Sequence, residues 1–165
     1  GRPAPWCEQT HSTEPPPAEQ AFDWLISSET LIFSYLTNNW ARLAAGGSDL
    51  FVERTNPKSH FIWVDNGDAF SSMGTDHLNG GKTIKMLCSS CKFAKHLIDK
   101  LRKEPLGERV KMSVEQCTQP INLFPKMSRA RMNRVYDGLT SRQEYLLQEV
   151  DACIQKYGEE AVLSL

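Results

Sequence analysis

The stretch HFIWVDNGDAF, residues 60–70, places two carboxylates and a glycine at the tip of an apolar run. Asn66 and Gly67 tolerate positive φ, so a tight turn accounts for both of them. A turn does not explain why an acid, Asp65, comes first, directly after a strand that is predicted to be buried. Asp65 therefore has two interpretations, a turn acid or a ligand for a hard divalent cation, which prefers carboxylate oxygen. Asp68 is interpreted as a solvated turn residue.

The elements before Asp65 give this position a context. Ser27 can cap a helix that runs to just before Ala44, because apolar residues then recur at helical spacing. Two runs of strand-forming residues, Leu50–Arg54 and His60–Val64, flank a turn sequence and predict a β-hairpin. A helix, a loop, a hairpin and an acid at its end follow the order of the catalytic segment in kinase-type phosphotransferases. There the loop acid orients the attacking hydroxyl, and the acid after the second strand holds Mg²⁺ or Mn²⁺ against the nucleotide phosphates.

The remainder of the chain reads as helical. An amphipathic stripe predicts a helix over Lys82–Lys103 that Pro105 and Gly107 end. Ser128 can cap a further helix, and Thr140 or Ser141 can cap a last one that Gly158 closes. The predicted fold class is α+β, mainly α, with a small β-hairpin and several packed helices.

Composition bounds the domain organisation and the partners. The 165 residues are enough for one domain. Residues 1–20 hold five of the nine prolines, which predicts a linker or arm, and residues 21–165 form the globular part. The net charge of -1 argues against a broad basic surface that would bind nucleic acid.

No apolar run approaches the ~20 residues that cross a bilayer, and we expect no membrane span. The chain opens at Gly1 without a signal peptide, which suggests a processed or partial chain.

Five cysteines raise the question of metal, redox or disulfide chemistry. Cys88-x-x-Cys91 fits a zinc or redox site in spacing. Zinc needs a second ligand pair, and Cys117 and Cys153 lie 36 residues apart without a CxxC of their own. Disulfides in a secretory compartment are the favoured interpretation. The odd number leaves one thiol free or paired outside this chain.

Several short motifs carry a resemblance to a known family. Residues 31–43, LIFSYLTNNWARL, are similar to the pattern LILFDYLTxNxDRL, and residues 64–67, VDNG, look like the metal-binding LDN motif. Residues 52–55, VERT, in the predicted hairpin are similar to a further motif of the same family. The sequences CKF at 91–93 and CxxKYG at 153–158 resemble the cysteine motifs on the last helices of that family. From about Trp24 onward the chain thus resembles the secretory-pathway kinases related to Four-jointed and the Golgi casein kinase.

The resemblance implies a kinase-like C-terminal lobe over residues 21–165. It implies ATP with Mg²⁺ or Mn²⁺, bound at Asp65 and Asn66, with Asp65 as the metal ligand. The implied substrates are secreted proteins or the ectodomains of membrane proteins, and the implied location is the Golgi lumen or outside the cell. It also implies a disulfide, most simply Cys91–Cys153.

The departures from the family pattern concern catalysis. Ala41 stands where the family carries its catalytic Asp, and Ser34 replaces the acid of FDYL. The chain also lacks a Gly-rich phosphate loop and a strand lysine paired with a helix glutamate. Arg42 can contact phosphate or serve as an exposed helix-end cation, and Asp49 can substitute for the lost acid from a displaced position.

Two hypotheses for the function follow. One is a Ser/Thr kinase lobe impaired at Ala41 and Ser34. The other is a pseudokinase-like binding or regulatory module, a partner of an active relative. In a third interpretation the chain is an unrelated helical interaction domain and the motif matches are accidental.

Overall fold

The computed structural model describes residues 21–39, 50–51, 62–63, 69–70, 91–118 and 128–165. These residues form mainly helices, in agreement with the predicted mainly α class. The elements in chain order are α1 (Ala21–Leu36), β1 (Leu50–Phe51), β2 (Ile62–Trp63), α2 (Lys95–Leu101), α3 (Leu106–Thr118), α4 (Arg129–Tyr157) and α5 (Glu159–Val162). Residues 1–20, the predicted arm, lie outside the described part.

The two strands pair antiparallel over two residues each. Leu50 lies opposite Trp63, and Phe51 lies opposite Ile62. The predicted strands Leu50–Arg54 and His60–Val64 contain these four residues, but the rest of both strands and their turn lie outside the described residues. The β-hairpin therefore stays a prediction.

Helix α1 begins earlier and ends earlier than predicted. Ser27 lies inside the helix with 5% of its surface exposed, so its predicted role as the N-cap is wrong. The buried stripe extends upstream through Trp24 and Ile26, and packing of this face continues the helix past the serine. At the other end α1 stops at Leu36, not just before Ala44, because the backbone reverses at Asn38 with a φ of 56°.

The predicted helix Lys82–Lys103 is wrong over residues 91–94. Cys91 has a φ of 46°, Ala94 is extended with a ψ of 105°, and α2 begins only at Lys95. The N–H groups of this extended segment bond elsewhere, Phe93 to the carbonyl of Val162 and Lys95 to that of Leu165, each at 2.9 Å. These long-range bonds replace the helical bonds that the local stripe predicts. Residues 82–90 lie outside the described part.

Helix α3 was not predicted, because Pro105 and Gly107 indicated the end of a helix. Both residues instead belong to a helix start: Pro105 directly precedes α3 and its carbonyl accepts from the N–H of Arg109 at 3.2 Å. Gly107 is buried against α4, where a Cβ would overlap the carbonyl oxygen of Tyr136. Glycine here permits close helix packing.

Helix α4 confirms two predictions and corrects one. The Ser128 side chain accepts from the N–H of Arg131 at 3.3 Å as the predicted N-cap, and Gly158 ends the helix with a φ of 86°. The break predicted at Thr140 or Ser141 is wrong, because α4 runs unbroken for 29 residues. The buried positions upstream of Thr140 are in phase with those downstream, so one face packs along the whole helix.

The main core lies where α1, α2 and α4 meet the C-terminal residues. It contains Leu31, Ile32, Tyr35, Leu36, Cys91, Phe93, Ile98, Leu146, Val150, Cys153, Val162 and Leu163. A smaller cluster of Val135 and Leu139 packs against Leu106 and Val110 between α3 and α4. Within the described ranges, none of the helices combines the length and apolar character needed to cross a membrane.

Candidate functional site

The C-terminal end of α1 organises the candidate site. The N–H of Asn38 donates to the carbonyl of Tyr35 at 3.1 Å, and the N–H of Asn39 donates to that of Ser34 at 2.9 Å. This pair of bonds is a Schellman motif, with Asn38 in the left-handed conformation that glycine or asparagine adopts most readily. The Thr37 hydroxyl adds a bond to the carbonyl of Phe33 at 2.9 Å. The helix end is therefore fixed by its own backbone and side chains.

The segment that follows the VDNG motif is anchored at this helix end. The N–H of Phe70 donates to the carbonyl of Thr37 at 2.8 Å. Phe70 has a φ of 63°, a conformation that costs a bulky residue energy and that surrounding contacts must maintain. Its ring is 39% exposed. The structure thus holds a strained aromatic residue five positions after Asp65 against the end of α1.

A cleft of about 530 Å³ lies beside this anchor. Its volume falls in the range of small-molecule sites, roughly 300–1,000 Å³. Helices α1, α2 and α3 supply its apolar walls, with Phe70 on one side; the α1 and α2 residues are Ile32, Phe33, Leu36, Leu97 and Leu101. Charged side chains also line it, among them Glu104 and Arg109, which form an ion pair at 2.9 Å. The cleft can therefore accept a ligand that carries both an apolar group and charged groups.

Several buried polar groups surround the last turn of α1. Ser34 and Asn39 are each 1% exposed, and Arg142 of α4 is 2% exposed. Within the described residues, no hydrogen-bond partner is found for the Ser34 hydroxyl, both amide atoms of Asn39, and the Nε and Nη2 atoms of Arg142. Buried polar atoms are paired in the great majority of cases, so a group of unpaired ones is unusual.

Arg142 connects α4 to the end of α1. Its Nη1 donates to the carbonyl of Tyr35 at 3.3 Å, and its guanidinium carbon lies 5.4 Å from the centre of the Tyr35 ring. Burial lowers the pKa of Arg142 from its ordinary value, and the interaction with Tyr35 acts in the opposite direction. A cation at the negative end of a helix dipole is favourably placed, which explains why the Nη1 edge of the guanidinium lies at the end of α1.

Gln143, the next residue on α4, fixes the connection between α2 and α3. Its Oε1 accepts from the N–H of Leu106 at 2.5 Å, and its Nε2 donates to the carbonyls of Leu101 and Glu104, the latter at 2.8 Å. One buried side chain thereby satisfies the end of one helix and the start of the next. These bonds fix two walls of the cleft relative to α4.

Cys91 and Cys153 form a disulfide, with 5.7 Å between their Cα atoms. This is the pair that the family resemblance implies. It joins the segment before α2 to the last turns of α4. Cys117 is exposed and free, whereas Cys7 and Cys88 lie outside the described residues.

The predicted catalytic, nucleotide-binding and metal positions fall outside the described residues. They are Ala41, Arg42, Asp49, Asp65 and Asn66. Their predicted roles stay predictions. In the described part of the chain, no three or more His, Cys, Asp or Glu side chains come together as a metal site.

Two components of the site were missed from the sequence. Helix α3, which lines the cleft, was hidden by Pro105 and Gly107. Arg142 was overlooked because the last helix was predicted to start near Ser141. A continuous stripe through Leu139, Arg142 and Leu146 places the arginine on the buried face, and that spacing was the available signal.

Comparison with known proteins identifies no relative: no family model, curated protein or solved structure matches this chain. The class of the protein therefore depends on its motifs and its geometry.

Proposed function

We propose that this chain is the C-terminal lobe of a secretory-pathway Ser/Thr protein kinase similar to Four-jointed, with catalysis impaired at Ala41 and Ser34. It would use ATP with Mg²⁺ or Mn²⁺, held at Asp65 and Asn66. Its substrates would be secreted proteins or ectodomains in the Golgi lumen or outside the cell. The observation that carries the proposal is the Cys91–Cys153 disulfide, because the resemblance implies this pair among five cysteines.

The anchor at Phe70 gives a second support. The bond from its N–H to the carbonyl of Thr37 ties the chain after the VDNG motif to the helix that precedes position 41. Five residues span at most about 17 Å, so this bond limits the distance between Asp65 and the end of α1. A metal-ligating acid in a kinase-type site requires that proximity.

The alternative is a pseudokinase-like module that binds or regulates an active relative. Ser34 favours it, since the family pattern has an acid there and the buried serine hydroxyl has no partner in the described ranges. Ala41 favours it too, because a methyl group can neither accept a proton nor orient a hydroxyl.

Thermal denaturation with increasing ATP and Mn²⁺ tests nucleotide binding. A ligand that binds only the folded chain stabilises it by about 2.7 kcal/mol at 100 times its dissociation constant. For a domain of this size that corresponds to a rise in Tm of roughly 5–10 °C. Asp65→Ala should abolish the rise, whereas Asp68→Ala, the matched control for a solvated turn acid, should retain it. The same Tm with and without ATP in the wild type would reject nucleotide binding.

An aspartate restored at position 41 distinguishes an impaired kinase from a regulatory module. If the chain is an impaired kinase, Ala41→Asp should raise phosphate transfer to serine peptides by about 10²–10⁴, the usual contribution of a positioned acid or base. Asp49→Asn in the wild type should remove any residual transfer if Asp49 substitutes for the lost acid. ATP binding with no transfer in Ala41→Asp would favour the regulatory module.

A further inference from the structure

The residues that carry the unpaired polar groups are connected by hydrogen bonds at the end of α1. Asn39 donates its N–H to the carbonyl of Ser34, and Arg142 donates to the carbonyl of Tyr35. Ser34 and Tyr35 are consecutive residues of α1, so the two accepting carbonyls are neighbours on the helix. In a Schellman motif an apolar contact between the residues in the Asn39 and Ser34 positions is frequent. Here both members are polar and buried.

The unpaired atoms of Arg142 form a specific donor pattern. Nη1 is bonded to the carbonyl of Tyr35, and Nε and Nη2 have no partner among the residues that the structure describes. The N–H of Nε and one N–H of Nη2 point the same way and form the fork that binds two oxygens of one carboxylate or phosphate. Asn39 Nδ2 and the Ser34 hydroxyl supply further donors.

The guanidinium also lacks a counter-charge in the described part of the chain. The ion pairs there join other residues, and none of them includes Arg142. A buried cation without an anion destabilises the folded chain. The bond to Tyr35 and the helix dipole act at the Nη1 edge, and the Tyr35 ring acts at 5.4 Å from the guanidinium carbon; none of these supplies an acceptor for the fork or a partner for the Asn39 amide.

We propose that the Nε–Nη2 edge of Arg142, with Asn39 and Ser34, is a binding site for an oxyanion, namely a carboxylate or a phosphate group. The Arg142 fork takes two oxygens of the anion, and Asn39 Nδ2 and the Ser34 hydroxyl donate to the others. Because the donors are almost fully buried, the anion is enclosed and enters during folding or a transient opening. The proposal does not depend on the kinase function.

Refolding in the presence of anions provides the test. The chain is refolded with EDTA in inorganic phosphate, in malonate or in chloride, at equal ionic strength, and the Tm is measured. Each tenfold increase in a bound anion above its dissociation constant should raise the Tm by roughly 3–5 °C. A rise with phosphate alone assigns the site to phosphate groups, a rise with malonate alone assigns it to carboxylates, and a rise with both supports a general oxyanion site. Equal Tm values in all three anions would overturn the proposal.

Variants show whether the Nε–Nη2 fork of Arg142 causes the anion-dependent rise in Tm. Arg142→Lys keeps the positive charge but loses the fork, so the anion-dependent rise should disappear, while Arg134→Lys, an exposed arginine on the same helix, should retain it. Asn39→Ala preserves Arg142 and should lower the anion affinity, which keeps the proposal testable if Arg142→Lys does not fold. An unchanged rise in Arg142→Lys or in Asn39→Ala would contradict the site. Asp65→Ala should leave the response intact, which separates this site from the proposed nucleotide site.

Discussion

Reduction of the Cys91–Cys153 disulfide should strongly lower the stability of this protein. The bond closes a loop with a sequence separation of 62 residues, which contains α2, α3 and most of α4. Both cysteines belong to the main core, where they contact the same cluster as Leu146 and Val150. Opening the bond releases a large loop in the unfolded chain and leaves the folded contacts largely in place.

The expected magnitude follows from chain entropy. For a loop of this length, cross-linking the unfolded chain accounts for about 4 kcal/mol at 25 °C. In urea, with a slope of about 1–3 kcal/mol/M, the midpoint should fall by roughly 1.5–4 M. In thermal unfolding the Tm should fall by roughly 8–16 °C for a domain of this size.

The assay compares oxidised and reduced forms of one chain, so that no core atom other than the disulfide changes. Cys7, Cys88 and Cys117 are replaced by serine to prevent exchange with other thiols. Urea unfolding is followed with and without dithiothreitol. A control chain that also carries Cys91→Ala and Cys153→Ala should unfold at the same urea concentration in both conditions.

Two results would refute this reasoning. A midpoint that changes by less than about 0.5 M on reduction would show that the cross-link does not restrict the unfolded chain as the entropy model requires. A dithiothreitol effect of equal size in the Cys91→Ala, Cys153→Ala control would assign the loss to the reagent.

Three further predictions concern stability. Gln143→Leu should cost about 2–4 kcal/mol in urea unfolding, because it leaves two helix ends with unpaired groups beside α4. Gly107→Ala should cost about 1–3 kcal/mol, because the new methyl group overlaps the Tyr136 backbone and separates α3 from α4. Burial holds the pKa of Lys92 below its ordinary value of 10.5, so the folded chain binds fewer protons there than the unfolded chain, and this contribution to the free energy of unfolding rises as the pH approaches 10.5. Lys92→Met should remove that rise when the two chains are compared by urea unfolding between pH 8 and pH 10.

Exposed neighbours serve as matched controls. Gln148→Leu on α4 and Glu108→Ala on α3 should each change stability by less than about 0.5 kcal/mol. Lys103→Met should leave the pH dependence of the wild type unchanged. Burial also raises the pKa of Tyr136, with a contribution from Glu115, which opposes the Lys92 effect at alkaline pH. Both the wild type and the Lys92 variant contain Tyr136, so their difference isolates the lysine.

Helix α4 shows what was predictable and what was not. Its caps at Ser128 and Gly158 were found because a cap is a bond or a dihedral angle confined to a few neighbouring residues. The false break at Thr140 came from reading a residue type without the packing around it. Arg142 was missed for the same reason, since only the position of α1 shows that this arginine is buried.

The predicted catalytic and metal positions lie outside the described residues and stay predictions. The order of helix, hairpin and acid directed attention to the end of α1, and the structure anchors Phe70 there. The sequence did not predict the cleft, because one of its walls, α3, begins at two residues that usually end helices. The roles of Ala41, Asp49 and Asp65 are decided by the binding and transfer experiments above.

The sequence by itself determined the mainly helical class and the caps of the long helix, since periodic burial and capping act between residues close in the chain. Tertiary structure decided where α1 and α2 end or begin, why Gly107 is needed, and which polar side chains are buried together. Those outcomes depend on bonds such as the one from the N–H of Phe93 to the carbonyl of Val162, 69 residues apart. A hydrogen bond across that separation can replace a helical one. The pattern of neighbouring residues does not show which of the two bonds forms.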